Sequence, residues 1–144
     1  MDKAEIARLE TYLRKAFGAG ALTVVARGGD DAELKLGGAK LGDISKDEDE
    51  GELSYFVNVG VARAPGAKKD APIDEGERAR LQGVLREKLA SPQLSVRARP
   101  RKTDSTEVYV GEEFIGTLSR DEESKEFGYF LTMSILDIDL EEAS

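Results

Sequence analysis

The chain is one segment written twice. Residues 2–27 align with 74–99 at 11 identities: Asp2/Asp74, Glu5/Glu77, Ala7/Ala79, Arg8/Arg80, Leu9/Leu81, Leu13/Leu85, Arg14/Arg86, Leu22/Leu94, Val24/Val96, Ala26/Ala98 and Arg27/Arg99. After a two-residue insertion in the second copy, 33–63 align with 107–137 at nine more, including Gly37/Gly111, Gly42/Gly116, Ser45/Ser119, Asp47/Asp121, Glu52/Glu126, Tyr55/Tyr129 and Phe56/Phe130. Apolar positions agree where identities fail, so the halves are expected to share one fold and to be related by a pseudo-symmetry operation. A unit of about 70 residues buries only ~60% of the surface its unfolded chain exposes, against ~70% near 150 residues. Two copies are therefore expected to build one shared core.

Each half opens on a helix. Asp2 and Asp74 stand at N-cap positions, and Glu5 and Glu77 three residues on complete the pattern of a capping box. Ile6, Leu9, Leu13, Ala16 and Phe17 form one apolar stripe, and Leu81, Val84, Leu85 and Leu89 its counterpart. Four strands with period-2 alternation follow in each half. They carry Leu22-Val24-Ala26, Leu34-Leu36, Leu41-Ile44 and Leu53-Tyr55-Val57-Val59-Val61 in the first copy. In the second they carry Leu94-Val96-Ala98, Val108-Val110, Ile115-Leu118 and Phe127-Tyr129-Leu131-Met133-Ile135. Gly37-Gly38 and Gly111-Glu112 suit tight hairpins, and Gly42 and Gly116 mark bulges. Ile138 and Leu140 are expected to continue the last strand before it frays over Glu141–Ser144.

The fold class that follows is α+β: two tandem αββββ units related by pseudo-twofold symmetry, with an antiparallel sheet and helices packed on one face. The expected division is 1–63 for the first repeat, 64–72 for a Pro-, Gly- and Lys-bearing linker, and 73–144 for the second repeat.

The stretch 107–141, Glu-Val-Tyr-Val-Gly-Glu-Glu-Phe-Ile-Gly through Ile-Leu-Asp-Ile-Asp-Leu-Glu, resembles the end of a small uncharacterised alphaproteobacterial domain-of-unknown-function family of short chains. The opening Met1–Gly18 resembles the start of the same family. The resemblance implies a bacterial setting and supports the repeat boundaries. It implies no chemistry, because the family carries no assigned activity.

The chemistry available is narrow. With no cysteine and no histidine there is no thiolate, no disulfide and no imidazole. That excludes Ser-His and Cys-His catalysis and soft-metal sites. No nucleophile-and-base constellation stands out, so a non-enzymatic protein is expected, with no cofactor and no metal. Asp47, Glu48, Asp49, Glu50 and Glu52 crowd one hairpin, and Asp121, Glu122, Glu123 and Glu126 its counterpart. Their spacing is not that of a calcium-binding loop, and solvated acidic hairpins are the better explanation.

A net charge of −8 argues against bulk duplex binding. Met1 leads directly into a charged helix and no 18-residue apolar run exists, so a soluble, cytoplasmic chain with no membrane contact is expected.

One face needs a reason. If the apolar alternation faces the helices, Arg97, Arg99, Tyr109, Phe114 and Phe130 lie on the opposite face of the second repeat, and Phe56 on that of the first. Aromatics on a wet surface are covered by something. Three coverings compete, in this order: the two sheets pack face to face, the face docks a partner protein, or it stacks unpaired bases. The expected function is a protein-interaction module, a covalent pseudo-dimer acting as monomer or homodimer, with single-stranded nucleic-acid binding through the same face as the alternative.

Overall fold

The structure is a computed structural model, and it describes residues 1–143. Helix α1 (Lys3–Phe17) leads into strands β1 (Leu22–Gly28), β2 (Asp31–Leu36), β3 (Ala39–Asp49) and β4 (Glu52–Val61). Helix α2 (Glu75–Lys88) leads into β5 (Leu94–Ala98), β6 (Ser105–Val110), β7 (Glu113–Arg120) and β8 (Tyr129–Leu136), and α3 (Asp137–Ala143) follows. The eight strands form one antiparallel sheet in the order β1-β2-β3-β4-β8-β7-β6-β5. Two αββββ units thus meet edge to edge through their last strands.

The seam shows the symmetry directly. Across β4 and β8, Tyr55 pairs with Ile135, Val57 with Met133, Val59 with Leu131 and Val61 with Tyr129. Asn58 pairs with Thr132, its own counterpart in the other repeat, so the pseudo-twofold axis passes between these two residues. The expectation that the two sheets pack face to face is overturned. Alternation states which side of a strand is apolar, and it reads the same whether two sheets stack or join at an edge.

The inner face carries the core. Leu22, Leu34, Ile44, Tyr55 and Val59 of one repeat and Leu94, Val108, Leu118, Leu131 and Ile135 of the other are fully buried in a single cluster with Leu9, Leu13, Phe17, Leu81, Leu85 and Leu89 of the helices. The helix ends also meet: the Ser91 hydroxyl donates to the carbonyl of Phe17. Ile73, just before α2, is buried as well, its N–H donated to the Thr103 carbonyl at 2.7 Å.

Bulges fall beside Gly42 and Gly116, where Leu41 and Ile115 are the extra residues. The glycines themselves answer to a closer constraint. A Cβ on Gly42 would lie 2.2 Å from the Asn58 carbonyl oxygen, and one on Gly116 2.3 Å from that of Thr132. No side chain fits where these strands approach the seam.

The C-terminal tail departs from the expected strand. Residues Asp137–Ala143 are helical, because the Asp139 carboxylate accepts the Leu136 N–H at 2.9 Å and turns the chain as β8 ends. Leu140 is then fully buried, and α3 packs on α1. Of the stretch expected to fray, Ser144 lies outside the described residues.

The helix starts are alike in sequence but not in use. In α1 the capping box is complete: Asp2 accepts the Glu5 N–H at 2.8 Å and Glu5 accepts the Asp2 N–H at 3.0 Å. The buried Glu5 carboxylate also accepts from the Tyr55 hydroxyl at 2.7 Å and pairs with Lys46 at 2.8 Å. In α2 the box is half made, since Asp74 accepts the Glu77 N–H while the Glu77 carboxylate turns to Arg80 and the Tyr129 hydroxyl.

Burial alone raises the Glu5 pKa, but the bonds from Lys46, Tyr55 and the Asp2 N–H outweigh it, and the group falls from 4.5 to about 2. A depressed carboxylate contributes stability that is present above its unfolded pKa and lost as pH falls toward 2. Allowing for solvent screening at the partly exposed Lys46, the loss is on the order of 1–2 kcal/mol. Urea midpoints should therefore fall between pH 5 and 2 in the natural protein and fall less in Glu5→Gln. Parallel pH profiles of the two would remove Glu5 as the source.

Candidate functional site

On the outer sheet face, β4 and β8 present Phe56, Asn58, Gly60, Phe130, Thr132 and Ser134 in alternation. Strand pairing next to the seam is incomplete on both sides. β3 leaves β4 beyond the Gly42–Val59 pair, and β7 leaves β8 beyond Thr117–Thr132. Each divergence opens a groove.

The larger groove has a volume of about 920 Å³ and is lined by Phe56, Phe114, Ile115, Gly116, Thr132 and Ser134, with Asp43, Tyr12 and Asp139 at its margins. The smaller has about 300 Å³ and is lined by Phe130, Lys40, Leu41, Gly42, Asn58 and Gly60, with Glu126 and Phe127. Under the repeat alignment six residues of one lining match six of the other: Phe56/Phe130, Phe114/Lys40, Ile115/Leu41, Gly116/Gly42, Thr132/Asn58 and Ser134/Gly60. These are two copies of one site.

They differ because one is occupied by the chain itself. The β3–β4 hairpin stays paired out to Asp49–Glu52, whereas β7–β8 pairing ends at Arg120–Tyr129 and leaves 121–128 as an irregular loop. That loop sets the Phe127 ring on Gly60, so close that a Cβ there would lie 2.5 Å from it. Phe127 meets Phe130 edge to face at 5.5 Å. The Lys88 ammonium lies 5.6 Å from the Phe127 ring centre and donates to the Gly60 carbonyl at 2.6 Å. Burial lowers the Lys88 pKa, with Glu126 acting in the opposite sense. In the open groove the counterparts are Leu53, held within its hairpin opposite Glu48, and Ala16, which has no donor.

The charges differ too. The open groove has Asp43 and Asp139 on its rim and continues past Glu113, Glu142 and Lys15. Asp43 is paired with Lys40 at 2.9 Å and Arg27 at 3.6 Å. Burial, with Asp139 and Glu113 nearby, raises the Tyr12 pKa and keeps this phenol neutral. The closed groove has Lys40, Asp43 and Glu126 in its lining, with Lys88 over the Phe127 ring.

The residues singled out from sequence divide among these places. Phe56 and Phe114 line the open groove and are 45% and 54% exposed. Phe130 lines the closed one. Tyr109 meets Phe114 edge to face at 5.7 Å, and the Arg97 guanidinium lies 4.0 Å from the Tyr109 ring centre, so these three form a row across β5, β6 and β7. Arg99 stands apart, donating to the Ser105 hydroxyl at 3.0 Å. Sequence reasoning missed Ser134, Thr132, Phe127 and Tyr12. The outward alternation of β8 carries a signal for the first two, while Phe127 and Tyr12 depend on packing that no local pattern encodes. Among the described residues, no group of three or more acidic side chains is placed to hold a metal ion, and no helix is long and apolar enough to cross a membrane.

Fold and site together define a tandem-repeat α+β protein with one site present in two unequal copies. The chain belongs to the family described as "Protein of unknown function (DUF3126)", whose model matches it twice, over residues 5–64 and 77–139. No curated protein and no solved structure matches it.

Proposed function

We propose that the protein is a non-enzymatic docking module that receives a partner protein in the open groove of its outer sheet face. The observation that carries this reading is the exposure of Phe56 and Phe114 on either side of a groove that no other part of the described chain enters. Leaving apolar area in water costs about 25 cal/mol per Å², and aromatic anchors in a concave site are what protein interfaces cover. Single-stranded nucleic acid suits the site less well. Asp139, Glu113 and Glu142 would repel phosphates, and Arg97, the cation of the aromatic row, is engaged by Tyr109.

The test is capture from the source cell's lysate with and without nuclease, using the natural chain and Phe114→Lys. Phe114 is more than half exposed, so the variant should melt within about 2 °C of the natural chain. Nuclease-resistant capture lost in the variant is the expected result. Capture abolished by nuclease, with oligo-dT binding that weakens steeply with salt, would move the assignment to nucleic acid. Capture unchanged by Phe114→Lys would remove the groove from the function.

A further inference from the structure

The closed groove shows what the open one is shaped to hold. In the closed copy the occupant is an aromatic ring, Phe127, seated on the Gly60 backbone against Phe130, with an acidic neighbour, Glu126, and with Lys88 close to both. The open copy keeps the aromatic wall and the bulge glycine, with Phe56 for Phe130 and Gly116 for Gly42, while Ser134 in place of Gly60 raises the floor of a groove of about 920 Å³ against about 300 Å³. Charge changes too. Both lysines are gone, replaced by Phe114 and Ala16, and the carboxylate of Asp139 stands on the rim with Glu113 and Glu142 beyond it, while Asp43 borders both grooves and is paired with Lys40 and Arg27.

We propose that the open groove binds a peptide segment of a partner protein that presents an aromatic side chain flanked by Lys or Arg, its ring seated over Ser134 between Phe56 and Phe114. The inference rests on the docking function proposed above and specifies the ligand. The ring supplies the burial that Phe127 supplies in the other copy. Phe114, where the closed groove has Lys40, adds a second aromatic wall for an edge-to-face contact. The Asp139 carboxylate on the rim, and Glu113 and Glu142 beyond it, favour cationic neighbours as Lys88 favours Glu126.

The test uses fluorescein-labelled seven-residue peptides and fluorescence polarisation on the full chain. The probes are Lys-Lys-Gly-Phe-Gly-Lys-Lys, the same peptide with Ala for Phe, and Glu-Glu-Gly-Phe-Gly-Glu-Glu. The cationic aromatic peptide should bind at least tenfold more tightly than either of the others. Ser134→Trp, which places a ring of the chain's own over the floor, should weaken it at least tenfold while leaving the helix content unchanged. Phe127→Ala opens the other copy and should gain binding of the acidic aromatic peptide.

Equal binding of the Phe and Ala peptides would leave only charge attraction and overturn the proposal. So would full binding by a folded Ser134→Trp. Were that variant to unfold, the Phe-against-Ala comparison on the natural chain still decides. A concentration-dependent dimer in sedimentation that no peptide dissociates would give the groove to a second copy of this chain and overturn it as well. If no peptide binds while Phe114→Lys still abolishes capture, this ligand assignment fails and the docking function stands. If neither effect is seen, both fail.

Discussion

Gly42→Ala and Gly116→Ala should each lower the melting temperature by more than about 10 °C, the cost of roughly 3–5 kcal/mol expected when a side chain is forced into backbone. The cause is steric and not conformational, since neither glycine needs a left-handed backbone. A Cβ at 42 or 116 meets a carbonyl oxygen at 2.2 or 2.3 Å. That oxygen belongs to Asn58 or Thr132, the pair on the pseudo-twofold axis, so it cannot yield without shifting the seam. Ala should be nearly as damaging as Val, because the clash begins at the first carbon. Gly83→Ala is the control. Nothing lies within 4 Å of a Cβ there, and a glycine removed from the middle of α2 should stabilise by about 0.5–1 kcal/mol. Thermal melts of the three variants check this, and a Gly42→Ala protein melting within about 2 °C of the natural chain would refute the close-approach argument.

Separating the repeats should be costlier still. Residues 1–68 and 70–144, expressed apart, are expected to lack a stable monomeric fold at 25 °C. Each loses the eight residue pairs from Ser54–Leu136 to Val61–Tyr129 and half of a single apolar cluster. A core of that size supplies no more than about 3–5 kcal/mol. The likeness of the halves also sets what each does instead: β4 pairs with β4 of another 1–68 around Asn58, and β8 with β8 around Thr132. Circular dichroism and sedimentation of the pieces, alone and mixed, read this out, with native-like melting returning only in the mixture. Two monomeric halves as heat-stable as the whole chain would show that the shared core does not matter.

Much of this architecture is legible in the chain. The Leu9-Leu13 and Leu81-Leu85 stripes place the helices, and alternation from Leu53 to Val61 places both the strand and its buried side. The repeat supplies the symmetry. What it withholds is the partner of β4, because period-2 patterning is blind to which edge a strand joins. The groove was therefore out of reach: it exists where β7 parts from β8, a consequence of sheet twist and of where pairing stops. Phe56 and Phe114 were visible as outward aromatics, but their neighbourhood was not. The turn into α3 hangs on one carboxylate, Asp139, reaching back to Leu136 N–H, and Phe127 was read as a strand residue when its loop carries it over Gly60. Both are tertiary contacts that override a local period.

The seam between β4 and β8 also sets a clock. The residues it joins, Val61 and Tyr129 at one end and Ser54 and Leu136 at the other, leave the ribosome far apart in time. At ~5–20 residues per second, the stretch from the end of β4 to the end of β8 takes several seconds or more to synthesise. Hairpins close in ~1–10 μs, so the β3–β4 hairpin can form long before β8 exists, and its β4 edge has no partner within the chain throughout that interval. Neighbouring nascent chains on one message hold the same edge in the same state. Fast translation of the second repeat, or a chaperone that covered β4, would favour pairing between the two halves of one molecule over pairing between the first halves of two.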